Sequence, residues 1–203
     1  MARLASTIAG RLSRRAVALN RYVQRIERLV ADGRMPLRDA RVAYAGAYVA
    51  YYVQLEAAIE DLFMGLLMRR VRIGGIASRP IVRIESEAVA REVVRGGRAY
   101  ATWLPIDVTR KRAKTLLSRG APFASLTGAE KATLERAHAI RNALAHPGSH
   151  ALRRFQVDVI GNLPVPPDQR RPDGYLRGQH AIGQTRFEYL LAECGAVFRR
   201  LCG

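Results

Sequence analysis

Apolar residues recur at intervals of three and four along most of the chain, which is the spacing of amphipathic helices. The pattern predicts a basic first helix over residues 3–31 and a longer, more hydrophobic second helix over about residues 37–69. The apolar positions of the first helix are Leu12, Leu19, Val23, Ile26 and Val30. Those of the second helix are Tyr48, Tyr52, Leu55, Ile59, Leu62 and Leu66. The second helix should therefore form the centre of the fold.

Capping signals predict where later helices begin. Thr127 with Glu130, and Thr185 with Glu188, have the spacing of a capping box, in which each residue satisfies a backbone amide of the other. Asp107 has the side chain of an N-cap and predicts a helix through about residue 118. We therefore expect a late helix starting near Thr127 and a closing helix starting near Thr185.

Three segments depart from the helical pattern. Residues 154–160 alternate apolar and polar positions as a strand does, and residues 161–183 are rich in Pro and Gly. Residues 70–83 alternate weakly around a Gly-Gly pair, which favours a loop or small hairpin. We expect an all-α single domain over residues 1–203, with room for a minor β-hairpin near residues 154–178. Its core should contain Leu55, Ile59, Leu62, Trp103, Leu134, Leu144, Leu190 and Phe198.

Charge and cysteine usage add expectations about partners and compartment. The formal net charge is +17, and all but three of the 34 basic residues are Arg. Such a domain commonly binds an anionic partner such as a nucleic acid, although an Arg-rich and Ala-rich chain can also reflect genomic base composition. The longest uncharged run, residues 42–55, is shorter than the ~20 residues of a membrane-spanning helix. Cys194 and Cys202 indicate core thiols in a reducing compartment, so we expect a soluble, cytoplasmic protein.

The densest cationic run consists of Arg110, Lys111, Arg112 and Lys114. A solvated helix face explains such a run by default, and a track for nucleic-acid phosphates is the functional interpretation. We keep these four residues as candidate nucleic-acid-binding residues.

Residues 139–148 contain the candidate chemistry. Phased on Leu134 and Ala137, the segment continues an amphipathic helix and places Arg141 on its apolar stripe, where a guanidinium needs a partner. His146 precedes a Pro-Gly pair that ends a helix. On an ideal helix Arg141 and His146 point roughly 140° apart. A loosened last turn, or a second copy of the helix, is needed to turn both towards one ligand.

Structural explanations of the same residues stay open. An Arg near a helix C-terminus is favoured by the macrodipole, and a His before Pro-Gly is an ordinary stop signal. If Arg141 is buried, then Glu56, Glu60 and Asp61 on the second helix are candidate partners, although solvation is the commoner fate of each. His138 lies three residues before Arg141 and can join the site, but a satisfied core or surface histidine is the commoner outcome.

Arg141-Asn142, followed by His146 four residues after Asn142, resembles the Arg-Asn-x-x-x-His signature of the HEPN superfamily. These are small all-helical proteins that include many RNA-cleaving toxins and defence nucleases. The similarity covers about residues 40–200. Further similar segments are Trp-Leu-Pro at 103–105, Pro-Phe-Ala-Ser-Leu at 122–126 and Gly-Tyr-Leu-Arg at 174–177.

The resemblance implies a HEPN-like helical bundle that is a metal-independent endoribonuclease in a toxin or phage-defence role. It implies catalytic roles for Arg141, Asn142 and His146, and products that end in a cyclic phosphate. It also implies RNA as substrate, a homodimer whose two motif helices line one cleft, and an antitoxin or defence-system partner. No metal and no cofactor are expected.

The chemistry of these side chains fits that expectation. RNA supplies its own nucleophile, the 2′-hydroxyl, so cleavage needs a proton carrier and a cation over the phosphate. An unperturbed histidine, with a pKa near ~6.5, can be general base or acid at neutral pH, which suits His146. Arg141 can hold two phosphate oxygens, and Asn142 can orient either group. The alternative is a non-catalytic HEPN-like module that binds nucleic acid or nucleotides.

Overall fold

The structure, a computed structural model of the chain, describes residues 2–74, 79–146 and 148–203, and these are mostly helical. The helices are α1 (Ser6–Ala31), α2 (Leu37–Leu67), α3 (Glu87–Arg95), α4 (Ile106–Leu116), α5 (Gly128–Ala145), α6 (Ser149–Phe155), α7 (Pro172–Arg177) and α8 (Arg186–Cys202). The strands are β1 (Arg3–Leu4), β2 (Val71–Arg72), β3 (Gln179–Ala181) and β4 (Gln184–Thr185). The all-α expectation with a minor hairpin is confirmed.

The described chain divides into two compact units. The first unit comprises residues 1–12, 55–135 and 195–203, and the second comprises residues 13–54 and 136–194. Neither unit is one continuous stretch of sequence. The expectation of a single domain over residues 1–203 stays a prediction.

Aromatic side chains fill the core of the first unit. Phe63 on α2 lies with its ring centroid 5.3 Å from that of Trp103 and 5.5 Å from that of Phe123. The Trp103 indole N–H donates to the Glu60 carboxylate at 2.9 Å, because a buried indole needs an acceptor. Trp103 is 4% exposed, which confirms its predicted place in the core.

Four tyrosines of α2, namely Tyr44, Tyr48, Tyr51 and Tyr52, anchor the second unit and are all buried. The rings of Tyr44 and Tyr48 contact Phe187 of α8 edge-on. The hydroxyl of Tyr48 donates to the carbonyl of Ala137 on α5, and that of Tyr51 donates to the carbonyl of Leu191 on α8. Within this unit, α2 therefore packs against both the motif helix and the C-terminal helix, as expected.

Both predicted capping boxes are present. The Thr127 amide donates to Glu130 at 2.8 Å, and the Glu130 amide donates back to the Thr127 hydroxyl at 3.3 Å. Thr185 and Glu188 repeat the arrangement at the start of α8. Burial raises the pKa of Glu130, but hydrogen bonds from Arg200 and Thr127 outweigh it and lower the pKa to about 2.

The predicted cap at Asp107 is wrong. The N-cap position of α4 is Pro105, and Asp107 lies inside the first turn. Its carboxylate accepts from Arg110 at 2.8 Å and lies 3.2 Å from the Lys131 ammonium. These two cations hold the pKa of Asp107 below its usual value. The carboxylate therefore serves ion pairing instead of capping.

The strand expected over residues 154–160 is also wrong, since this segment is the end of α6 followed by a π-helical turn, Gln156–Ile160. The side chains of Phe155, Val159 and Ile160 are buried, and Val157 between them is 66% exposed. Spacings of four and five bury one helical face, and the Arg154–Asp158 ion pair at 2.8 Å adds an i,i+4 contact. The minor hairpin lies just after this region, formed by β3 and β4.

Residues 70–83 were expected to form a loop or a small hairpin. In the described part of this segment, Val71 and Arg72 pair in parallel with Arg3 and Leu4, so the strand partner lies before α1 and outside the segment. The second Gly of the predicted turn, Gly75, lies outside the described residues.

The predicted core residues are buried with one exception, Leu144, which is half-buried. Leu144 lies in the last turn of α5, where fewer neighbours cover the helix. Among the described residues, no helix combines the length and the apolar character needed to cross a membrane.

Truncating a core side chain of α2 should cost far more than truncating an exposed one. Ile59 is 0% exposed and Val42 is 65% exposed on the same helix. We expect Ile59→Ala to lower the free energy of unfolding by about 2–5 kcal/mol and Val42→Ala to change it by less than about 0.5 kcal/mol. Urea denaturation measures both, and equal losses would place Ile59 outside the core.

Candidate active site at the end of α5

The end of α5 determines where His146 points. The helix ends at Ala145, so His146 follows the last helical residue, although its amide still donates to the Asn142 carbonyl at 2.8 Å. The His146 carbonyl then accepts from the Gly148 amide at 2.7 Å. The predicted stop residue Pro147 lies outside the described residues. His146 therefore keeps the last backbone hydrogen bond of α5 and lies one residue past the end of the helix.

The two motif side chains come together within one chain. The Arg141 Nη1 atom lies 3.4 Å from the His146 Nε2 atom. Arg141 is half-buried and His146 is exposed. The sequence left open a loosened last turn or a second copy of the helix, and in the structure the two side chains approach each other within one chain. The divergence of Arg141 and His146 therefore gives no geometric reason for a second copy of the helix.

The Arg141 guanidinium stacks over the Tyr52 ring, with its carbon 5.7 Å from the ring centroid. Its Nη1 donates to the Asn142 Oδ1 atom at 3.1 Å, and its Nε is buried with no hydrogen-bond partner among the described residues. Two of the expected carboxylate partners bind elsewhere: Glu60 accepts from Arg91 and Trp103, and Asp61 accepts from Arg11. The Tyr52 ring and the Asn142 oxygen therefore provide part of the stabilisation of the Arg141 charge that a carboxylate was expected to provide.

His138, for which the sequence left open both a place in the site and an ordinary structural role, contacts Asn142 and Tyr52. Its Nε2 atom lies 2.9 Å from the Asn142 Nδ2 atom, and its Nδ1 atom lies 2.7 Å from the Tyr52 hydroxyl. The signal that could have found it is spacing, because His138, Asn142 and His146 follow one another at intervals of four.

The donor and acceptor inventory assigns the protons of this network. A guanidinium only donates, so the Asn142 oxygen faces Arg141 and the Asn142 NH₂ faces His138. His138 must then accept at Nε2, which makes it a neutral imidazole whose Nδ1–H donates to Tyr52. Burial, with a smaller contribution from the Arg141 charge, lowers the pKa of His138 and favours that neutral form. By the same argument His146 presents an unprotonated Nε2 to Arg141.

The predicted nucleic-acid-binding run lies on α4, and its four cations are not equivalent. Arg110 pairs with Asp107, and Arg112 donates to the Thr102 carbonyl and stacks over Trp103 at 5.5 Å. Burial and the Arg98 charge lower the pKa of Arg112. Lys111 and Lys114 are exposed. Two of the four cations are therefore engaged within the fold, and nucleic-acid binding by the run stays a prediction.

Metal-binding and thiol chemistry find no candidate centre in the described ranges. No group of three His, Cys, Asp or Glu side chains is placed there to hold a metal ion. Cys194 and Cys202 are buried, and burial raises the pKa of each thiol to about 12. Such thiols stay protonated and unreactive at neutral pH.

Comparisons of the chain with protein-family models, with curated proteins and with solved structures found no match.

Removing the Tyr52 hydroxyl should destabilise the second unit more than removing an exposed hydroxyl. In Tyr52→Phe the His138 Nδ1–H loses its acceptor in a buried setting, which costs about 1–3 kcal/mol. Tyr22 is 37% exposed, so Tyr22→Phe is the matched control and should be nearly neutral. Urea denaturation at neutral pH compares the two, and equal stabilities would contradict the assigned hydrogen bond.

Proposed function

We propose that the protein is a metal-independent endoribonuclease of HEPN type. The observation that carries the proposal is the 3.4 Å approach of Arg141 Nη1 to His146 Nε2 within one chain, at an exposed helix end. A permanently charged guanidinium thus stands beside an imidazole, a group that can accept and donate a proton. Cleavage of a phosphodiester next to a 2′-hydroxyl requires this pair of groups.

The reaction begins with attack of the RNA 2′-oxygen on the adjacent phosphorus. The new bond joins the 2′-oxygen to phosphorus, and the bond between phosphorus and the 5′-oxygen breaks. Arg141 turns its donors from His146 to the phosphate, which frees the Nε2 lone pair to accept the proton of the 2′-hydroxyl. The departing 5′-oxygen takes up a proton from water or from a second histidine. The products carry a 2′,3′-cyclic phosphate and a 5′-hydroxyl.

Arg141 stabilises the charge that develops on the phosphoryl oxygens. Its half-buried position lowers the local dielectric constant, so its charge acts more strongly than it would in water. The cation–π contact with Tyr52 restrains the guanidinium, which lowers the entropic cost of ordering a long side chain for the reaction. The Asn142 Oδ1 atom accepts a hydrogen bond from Arg141 Nη1 and restrains that end of the guanidinium.

A homodimer, which the motif's resemblance implies, would supply a second proton carrier. One His146 can accept the proton of the 2′-hydroxyl while the other protonates the 5′-oxygen. The proposal therefore includes a two-fold dimer with both motif helices on one cleft. A toxin or phage-defence role, with an antitoxin or defence-system partner, belongs to the same proposal.

Substitution of either motif residue should abolish most of the cleavage. We expect Arg141→Ala and His146→Ala each to lower turnover of a mixed RNA substrate by about 10²-fold or more. Arg141→Lys should not recover the loss, because an ammonium lacks the planar fork. Chelator should have no effect, and DNA should remain intact. Arg153→Ala and His150→Ala are matched controls, since both residues are exposed and lie outside the network.

Binding measurements separate catalysis from mere association. Arg141→Ala should weaken RNA affinity and its salt dependence, whereas His146→Ala should leave affinity nearly unchanged. A wild-type protein that binds RNA without shortening it would make the chain a non-catalytic binding module instead. A double Arg141→Ala, His146→Ala variant that cleaves at the wild-type rate would assign the activity to other residues or to a contaminant.

The dimer has its own test. Light scattering should give twice the chain mass at concentrations of full activity. If the two motifs share one cleft, mixing Arg141→Ala with His146→Ala chains should restore part of the activity, because some mixed dimers hold one intact Arg141 and one intact His146. A strict monomer with full activity would rule out the dimer and leave the single-chain site in place.

A further inference from the structure

We infer that His138 is the positioning residue of this site and makes it sensitive to acid. Its neutral imidazole holds the Asn142 carboxamide in the one orientation that lets Asn142 fix Arg141 opposite His146. The structural part of the inference concerns hydrogen bonding alone. Its consequence for cleavage rests on the proposed function.

The hydrogen-bond chain runs in one direction only. It starts at Arg141, which can donate but not accept, and passes through the Asn142 carboxamide to the His138 Nε2 atom at 2.9 Å. The far end of the imidazole donates to the Tyr52 hydroxyl at 2.7 Å. Rotating the carboxamide by 180° would place its NH₂ against the guanidinium, donor against donor. Asn142 therefore keeps its orientation only while His138 can accept.

Protonation of His138 removes that acceptor. In the imidazolium both ring nitrogens carry hydrogen, so Nε2–H would face the Asn142 NH₂ across 2.9 Å. Turning the carboxamide relieves this contact but creates the same conflict with Arg141, 3.1 Å away on the other side. The imidazolium also adds a second positive charge beside the guanidinium. Acid should thus release Asn142 and let Arg141 leave its place opposite His146.

The surroundings of His138 determine the pH at which this happens. In the described part of the chain, the groups that the structure places against the imidazole are the Tyr52 hydroxyl and ring from α2, and Arg141 and Asn142 from α5. Burial and the Arg141 charge lower the pKa of His138 below its ordinary value near ~6.5. The folded state thus binds this proton less readily than the unfolded chain does. Stability due to neutral His138 is complete above about pH 6.5 and is lost as pH falls through the folded-state pKa.

The test compares pH profiles of cleavage for the wild type, His138→Gln and His138→Leu. Glutamine offers an amide oxygen near the position of Nε2 and does not titrate, whereas leucine offers no acceptor. We expect His138→Leu to lose about tenfold in kcat at neutral pH, and His138→Gln to recover most of that loss. Relative to the wild type, His138→Gln should retain more of its neutral-pH rate as the pH falls through the lowered pKa of His138. His146 is present in all three proteins, so the comparison isolates the change at His138.

His150→Ala is the matched control, because His150 is an exposed histidine outside the network. It should reproduce the wild-type pH profile. A His138→Gln profile identical to that of the wild type, or a folded His138→Leu variant with full kcat, would overturn the inference.

Nuclear magnetic resonance of the imidazole nitrogens separates failure of this inference from failure of the proposed function. The wild type should show His138 as the Nδ1–H tautomer with a pKa below 6.5, and the Asn142 NH₂ signals should shift with the same midpoint. An Nε2–H tautomer, or a pKa at or above 6.5, would overturn the positioning role. If the wild-type protein cleaves no RNA but these signals are as expected, only the proposed function fails.

Discussion

A half-buried guanidinium that cannot accept a hydrogen bond is the constraint on which the candidate site depends. Because Arg141 keeps its charge, each polar group around it must present a lone pair or an aromatic face. This requirement orients the Asn142 carboxamide and favours an unprotonated Nε2 on His146. Through Asn142 it also decides the tautomer of His138. Arg141 thus determines which atoms donate and which accept in a hydrogen-bond network that joins α5 to α2.

The tyrosines of α2 connect this network to the core. A tyrosine contributes a large apolar ring and a polar tip, and burial is favourable only where the tip finds a partner. Tyr48 and Tyr51 meet backbone carbonyls of α5 and α8, so they hold the neighbouring helices at a fixed axial position. Tyr52 instead meets a side chain of the site. The same row of residues therefore packs the second unit and supports the Arg141 plane.

Counting charges overstates how many cations a partner can reach. Arg177 donates two hydrogen bonds to Glu27. Arg91 donates to the carboxylates of both Glu60 and Glu87. On α4, Arg110 and Arg112 are similarly engaged, which leaves Lys111 and Lys114 exposed. The excess of +17 remains, but it is not concentrated where the sequence run suggested. A surface that could bind RNA must therefore be identified from which cations are exposed and unpaired in the structure. The density of Arg and Lys along the sequence does not identify it.

The sequence alone determined the features that depend on neighbours a few residues apart. Helix periodicity placed α1, α2 and α8, the two capping boxes marked the starts of α5 and α8, and the motif marked Arg141 and His146. Each of these signals is local, because a helix satisfies its backbone within itself. Core positions such as Ile59 followed from the same periodicity.

Tertiary structure decided what depends on distant partners. Alternation over residues 154–160 indicated a strand, but a strand needs another strand to satisfy its backbone, and the segment buries a helical face instead. Asp107 has the side chain of an N-cap, but α4 begins one residue earlier. Its carboxylate instead forms ion pairs with Lys131 and Arg110. His138 contacts Asn142 on its own helix, and its second partner is the hydroxyl of Tyr52, 86 residues away in sequence. A lone histidine looks the same in sequence whether or not such a partner lies opposite, and only the packing of α2 against α5 supplies it.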